Sequence, residues 1–92
     1  MLLTYTAPEQ KTVGAAAANL VAAGAAATLR RITVWVPNGS DTGIYCNPAG
    51  TATSSHFLIP PGGHGIWDTN QALSAIRAGS ADVTAYVQVG TA

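Results

Sequence analysis

The sequence has little charge. Four Lys or Arg and four Asp or Glu make up 9% of its 92 residues, whereas a typical soluble domain contains about 25% charged residues. Nucleic acids and anionic membranes are bound through an excess of basic residues. The net charge of zero therefore argues against both as partners. A sparsely charged surface favours association, and we therefore expect other protein to cover much of it.

The sequence also has only one cysteine, Cys46, which excludes a disulfide within the chain. One cysteine and two histidines are too few for the usual spaced set of zinc ligands, so we expect no metal and no other cofactor. Domains this small often gain stability from disulfides, metals or association. With the first two excluded, we expect docking on a partner or a homo-oligomer, with a trimer favoured.

The stretch from Val13 to Leu29 reads VGAAAANLVAAGAAATL, lacks charge and is more than half alanine. Glycine interrupts it, so it does not predict a membrane span. Alanine is the best helix former. One alternative is therefore an α+β fold with an alanine-rich helix near residues 15–27.

Other features of this stretch favour strands. Gly14 and Gly24 would each cost about 1 kcal/mol inside a helix. The large residues between them, Leu20 and Val21, are adjacent, so they form no broad apolar stripe for packing. We therefore favour two strands, at 10–13 and 19–23, followed by GAAAT as a turn.

Two further stretches, at 29–36 and 82–89, alternate between apolar and polar residues, which is typical of half-buried strands. Their predicted inward-facing residues are Ile32, Val34 and Val36, and then Val83, Ala85, Val87 and Val89. Shorter strands are predicted at 43–47, 57–59, 65–68 and 75–78. Turn-forming residues separate these strands, as in PNGSDTG and PPGG.

This succession of short strands predicts an all-β fold, a small antiparallel β-sandwich that is jelly-roll-like or Ig-like. We interpret residues 11–92 as its single domain. Residues 1–10 are interpreted as an extended N-terminal arm that becomes ordered on a neighbouring protein.

The aromatic residues are the candidate partner interface. Trp35 and Tyr86 are predicted on outward faces among polar neighbours, and aromatic side chains are enriched at interface hot spots. Aromatic residues would also occur on these faces if other parts of the same chain covered both faces of the sheet, and this is the alternative to a partner interface. The full candidate set is Tyr5, Trp35, Tyr45, Trp67 and Tyr86. A carbohydrate-binding module, in which Trp35, Trp67 or Tyr86 stacks on sugar rings, is an alternative function.

Catalysis is not expected. A nucleophilic Cys46 would need His56 or His64 as its base, but Cys46 is predicted to face inward beside Ile44, where cysteine acts as a small hydrophobe. The two histidines are interpreted as loop residues. Arg30 and Arg31 are interpreted as a solvated pair at the start of a strand.

Several stretches carry a family resemblance: LVAAG, LRRITVWVPNGS, GIYCNPAG, LIPPGGHG and SAIRAGSADVTAYVQV. The resemblance as a whole spans roughly residues 11–89, and these stretches consist mainly of turn and strand chemistry. In this order they resemble small all-β accessory proteins of phage virions: head decoration or cement proteins, or base domains of head fibres. The segments IYCN and PNGSDTG depart from the usual pattern.

The resemblance implies a non-enzymatic structural protein that decorates and stabilises a tailed-phage capsid by docking on the major capsid protein or another virion protein. We expect it to be made in the host cytoplasm and to lie on the capsid exterior. A neck or tail accessory protein is the other virion role that the resemblance allows.

Overall fold

The computed structural model describes residues 3–25 and 29–92, and the fold is all-β. The strands are β1 (Thr4–Tyr5), β2 (Glu9–Val13), β3 (Ala18–Val21), β4 (Arg30–Trp35), β5 (Ile44–Asn47), β6 (Phe57–Ile59), β7 (His64–Asp68), β8 (Leu73–Arg77) and β9 (Val83–Thr91). Within these two ranges no residue is helical, and no helix suited to crossing a membrane is found there. The alternative helix is therefore not present over residues 15–25, while the last part of the predicted GAAAT turn lies outside the described residues.

The strands form two antiparallel sheets. In the first sheet, β1 and β2 pair with successive parts of one edge of β9. β4 pairs with the other edge of β9, and β7 pairs with β4. The second sheet has the order β3-β8-β5-β6. The inward faces of the two sheets share one hydrophobic core, so the domain is a β-sandwich, as the sequence predicts.

The order of pairing distinguishes between the two predicted types of sandwich. β2 pairs with β9, β3 with β8, β4 with β7 and β5 with β6, which is a set of nested pairs. Pairing of β4 with β9 and of β5 with β8 then completes the two sheets. Eight strands in two sheets connected in this way form a jelly roll, so the Ig-like alternative is not adopted.

The N-terminal segment is part of the first sheet. Tyr5 pairs with Gly90, and Glu9 pairs with Val87, both on β9. The predicted boundary between arm and domain at residue 10 therefore falls inside β2. The backbone groups of this segment bond to β9 of the same chain, while residues 1–2 of the predicted arm lie outside the described residues.

The alternating residues of β4 and β9 lie where the sequence predicts. Ile32 and Val34 have no exposed surface, and Ala85 is likewise fully buried. β5 repeats the pattern, with Ile44 and Cys46 both fully buried. These inward residues meet between the sheets and constitute most of the core.

β3 contains the two large residues of the alanine-rich stretch. Asn19 pairs with Ser74 and Val21 with Leu73, so the register shifts at Leu20. Such a bulge changes the alternation of side chains. Leu20 is buried, and the adjacent Val21 is partly buried against the same core. The small alanines before β3 form the connection between the sheets.

Arg30 is buried, in contrast to the predicted solvated pair with Arg31. Its guanidinium donates hydrogen bonds to the carbonyl oxygens of Ala22 at 2.9 Å, Thr69 at 3.1 Å and Gln71 at 2.9 Å. It thereby ties the end of β3 to the β7–β8 connection. The side chain of Arg31 points to the opposite face and pairs with Asp68.

The adjacent arginines form a matched pair for a stability test. We expect Arg30→Met to lower the free energy of unfolding by at least about 2 kcal/mol, because three hydrogen bonds from a charged, buried donor are lost together. Arg31→Met should leave it nearly unchanged, because exposed ion pairs contribute little. Urea denaturation of both variants measures the difference. Equal losses would contradict the role assigned to Arg30.

Candidate binding surfaces

The outer face of the first sheet brings Trp35 and Tyr86 together. The two residues are directly paired between β4 and β9. Tyr86 also pairs with Gln10 of β2, and Trp35 pairs with His64 of β7. These four side chains therefore form one row across the sheet. The Gln10 side-chain amide donates a hydrogen bond of 3.0 Å to the Tyr86 hydroxyl oxygen.

An open groove of about 450 Å³ lies beside this row. Its lining residues, all uncharged, are Pro8, Trp35, Val36, Pro37, Asn38, Gly62 and Tyr86. We call this feature the aromatic groove. Gly62 has a φ of +79°, and a Cβ there would lie 2.8 Å from Asn38 Oδ1, so glycine is required where Asn38 approaches the backbone.

The other end of the same face is occupied by contacts within the chain. The ring of Tyr5 lies over Gly90, where a Cβ would be 2.5 Å from a ring carbon. In the next pairing position, Arg31 forms two hydrogen bonds with Asp68, at 2.8 and 3.1 Å. The bonded guanidinium lowers the pKa of the Asp68 carboxyl group. Tyr5 is thus on the same face as Trp35 and Tyr86 but outside the groove.

The remaining predicted aromatics are elsewhere. Tyr45 lies on the outer face of the second sheet, where it pairs with Ile76 and Leu58. Trp67, a member of the candidate interface set, pairs with the inward-facing Ile32 and packs against the core, so it is only partly exposed. The five predicted residues therefore do not form one continuous surface.

A second candidate surface lies where β6 and β7, the edge strands of the two sheets, come together. Among the described residues, the three most exposed large hydrophobic side chains are Phe57 at 62%, Ile66 at 55% and Leu58 at 52%. Phe57 meets Trp67 edge-to-face, with ring centroids 6.4 Å apart, and this contact joins the sheets. We call Phe57, Leu58, Ile66 and Trp67 the β6–β7 edge. Leu58 lies on the outer face of the second sheet and Ile66 on the outer face of the first, on either side of the contact between Phe57 and Trp67.

The two sides of the sandwich differ in charge. On the β2 side, Glu9 and Lys11 form an ion pair of 3.3 Å at the edge. On the other side, residues 42–67 contain no Lys, Arg, Asp or Glu, and the ion pair of Arg31 with Asp68 lies at the end of β7. Sequence reasoning missed Phe57, Leu58 and Ile66, although this long uncharged segment was a visible signal.

The residues considered for catalysis do not come together as a site. Cys46 has no exposed surface, and burial raises the pKa of its thiol to about 12, so it holds almost no thiolate near neutral pH. His56 accepts a hydrogen bond of 2.9 Å from the backbone N–H of Thr53 and so belongs to its own loop. His64 belongs to the outer row beside Trp35. Within residues 3–25 and 29–92 no three His, Cys, Asp or Glu residues cluster as a metal site.

Comparison with known proteins adds no assignment to these surfaces. No family model matches the chain, and none of the curated protein sequences is significantly similar to it. Jelly rolls serve many functions, so the fold alone does not select one. The aromatic groove and the β6–β7 edge are therefore the surface features that bear on the function of this chain.

Burial of Cys46 predicts slow reaction with thiol reagents. In the native protein, labelling by a chromogenic disulfide reagent should be roughly 100-fold or more slower than in urea, because reaction requires opening of the core. A Thr84→Cys variant in a Cys46→Ala background supplies an exposed thiol on the same chain as the control. Equally fast labelling of both native proteins would contradict the buried position of Cys46.

Proposed function

We propose that this chain is a non-enzymatic structural protein of a tailed-phage particle that decorates and stabilises the capsid by docking on the major capsid protein. The observation that carries the docking part is the exposed, uncharged β6–β7 edge. The assignment to a phage particle is supported by the resemblance of residues 11–89 to small virion accessory proteins.

The β6–β7 edge offers two kinds of contact to a protein partner. Among the described strands, β6 pairs only with β5, so its other side presents backbone N–H and C=O groups. A strand of another protein can satisfy these groups. Removing Phe57, Leu58 and Ile66 from water adds up to about 1.5–3 kcal/mol for each side chain that becomes fully buried.

The lack of charge along this edge favours a protein partner. Exposed edge strands are commonly protected by lysine or proline, which prevents pairing with other chains. Here the prolines follow β6, and the strand itself contains Phe, Leu and Ile. A structural subunit that is always bound to a shell does not need the protection that a free monomer needs.

Stabilisation of the shell follows from linkage. A protein that binds the assembled shell, but not its separated subunits, shifts the equilibrium towards the assembled state. Association into a homo-oligomer, with a trimer favoured, is part of the proposal because so small a domain gains stability from burying further surface. A neck or tail position remains the alternative location.

A charge placed on the edge should prevent docking. We expect Leu58→Lys to reduce incorporation of the protein into purified virions at least tenfold, because a lysine at the buried contact must be desolvated. Thr84→Lys adds the same charge at an exposed position of the first sheet and should incorporate normally. Quantitative mass spectrometry of virions measures both, and circular dichroism checks folding. Wild-type incorporation of Leu58→Lys would contradict docking through this edge.

Disruption of the gene tests the virion role separately from the docking surface. Particles that lack the protein should release DNA at a lower temperature than wild-type particles, and added purified protein should restore the original temperature. DNA release on heating measures this, and electron microscopy of labelled particles distinguishes the capsid from the neck or tail. Absence of the protein from wild-type virions, or unchanged heat tolerance, would overturn the proposal.

A further inference from the structure

The aromatic groove is a separate feature from the β6–β7 edge. Trp35 and Tyr86 are on β4 and β9, two interior strands of the first sheet, so the sheet holds their positions from both sides. Trp35 nevertheless retains 37% exposure. The groove volume of about 450 Å³ is within the range of about 300–1,000 Å³ typical of small-molecule sites.

The polar groups at the groove are amides and a hydroxyl. The Tyr86 hydroxyl oxygen accepts its bond from Gln10, so its hydrogen can be donated to a ligand. Asn38, another lining residue, carries a carbonyl acceptor and an amide donor. With no charged residue among the lining residues, the groove has nothing to balance a charge on a ligand.

We propose that the aromatic groove binds a neutral saccharide. The C–H face of a sugar ring packs against the apolar indole surface of Trp35, while its hydroxyl groups exchange hydrogen bonds with Tyr86 and Asn38. This proposal does not depend on docking through the β6–β7 edge, which involves other residues, although Ile66 of that edge shares the outer face of the first sheet with Trp35.

A proline-rich peptide is the other ligand class that aromatic grooves bind. Such a peptide is extended by about 3.1 Å per residue and contacts a series of aromatic pockets along its length. Here the aromatic side chains of the groove are the directly paired Trp35 and Tyr86, which are neighbours across β4 and β9. One pair of neighbouring aromatic side chains, with the Tyr86 hydroxyl and the Asn38 amide beside it, suits a single sugar ring better than an extended peptide.

Titration of the isotope-labelled protein tests the proposal. The probes are defined neutral oligosaccharides of glucose, mannose, galactose and N-acetylglucosamine, together with a proline-rich peptide. We expect at least one oligosaccharide to shift the backbone amide signals of Trp35, Tyr86 and Asn38 saturably. Trp35→Ala should weaken that binding at least tenfold, and Tyr86→Phe, which removes only the hydroxyl group, several-fold.

Two control variants separate binding from folding. Trp35→Phe keeps an aromatic platform and should retain more affinity than Trp35→Ala. Tyr45→Phe removes a hydroxyl group from the outer face of the second sheet and should bind as the wild type does. No saturable shift with any oligosaccharide, shifts outside the groove, equal binding by Trp35→Ala, or groove shifts with the peptide alone would each overturn the proposal.

Discussion

The pairing of β4 with β9 is the constraint on which the rest of the structure depends. Val34 is opposite Val87 in this pair, and Ile32 is opposite Val89. Because side chains alternate between the faces of a strand, a slip of one residue would exchange every inward and outward side chain. The buried valines therefore also determine that Trp35 and Tyr86 are opposite each other on the outer face.

The same pair organises the remaining strands of the first sheet. β9 receives β1 and β2 on its other side, and β4 receives β7. Gln10 and His64 thereby come to lie beside Tyr86 and Trp35. The aromatic groove is thus a consequence of core packing, since residues that never enter the core are placed by residues that do.

The distribution of the few charges gives the domain two unlike sides. Exposed ion pairs contribute little to stability, but a charge at an edge strand opposes pairing with another chain. Glu9 and Lys11 supply such charges on the β2 side, while the β6–β7 edge has exposed Phe57, Leu58 and Ile66. Low charge over the whole chain therefore leaves β6 and its neighbouring loops without a charged residue, while the ion pair of Arg31 with Asp68 lies at the end of β7.

Much of the fold could be predicted from local patterns. The alternation in β4 and β9 indicated both the strands and their buried faces, because a half-buried strand requires such a period. The alanine-rich stretch was harder to interpret. Its residues favour helix intrinsically, and only contacts of Leu20 and Val21 with the core, made possible by the bulge in β3, determine the strand.

The sequence by itself determined the all-β class, the inward and outward residues of the regular strands, and the outward positions of Trp35 and Tyr86. The tertiary structure alone decided the jelly-roll order, the burial of Arg30, the inward position of Trp67 and the meeting of β6 with β7. The physical reason is the separation, along the sequence, of the residues that make the contacts. Alternation is a property of neighbouring residues, whereas these other features depend on contacts between distant segments, such as the bond from Gln10 to Tyr86, which are 76 positions apart.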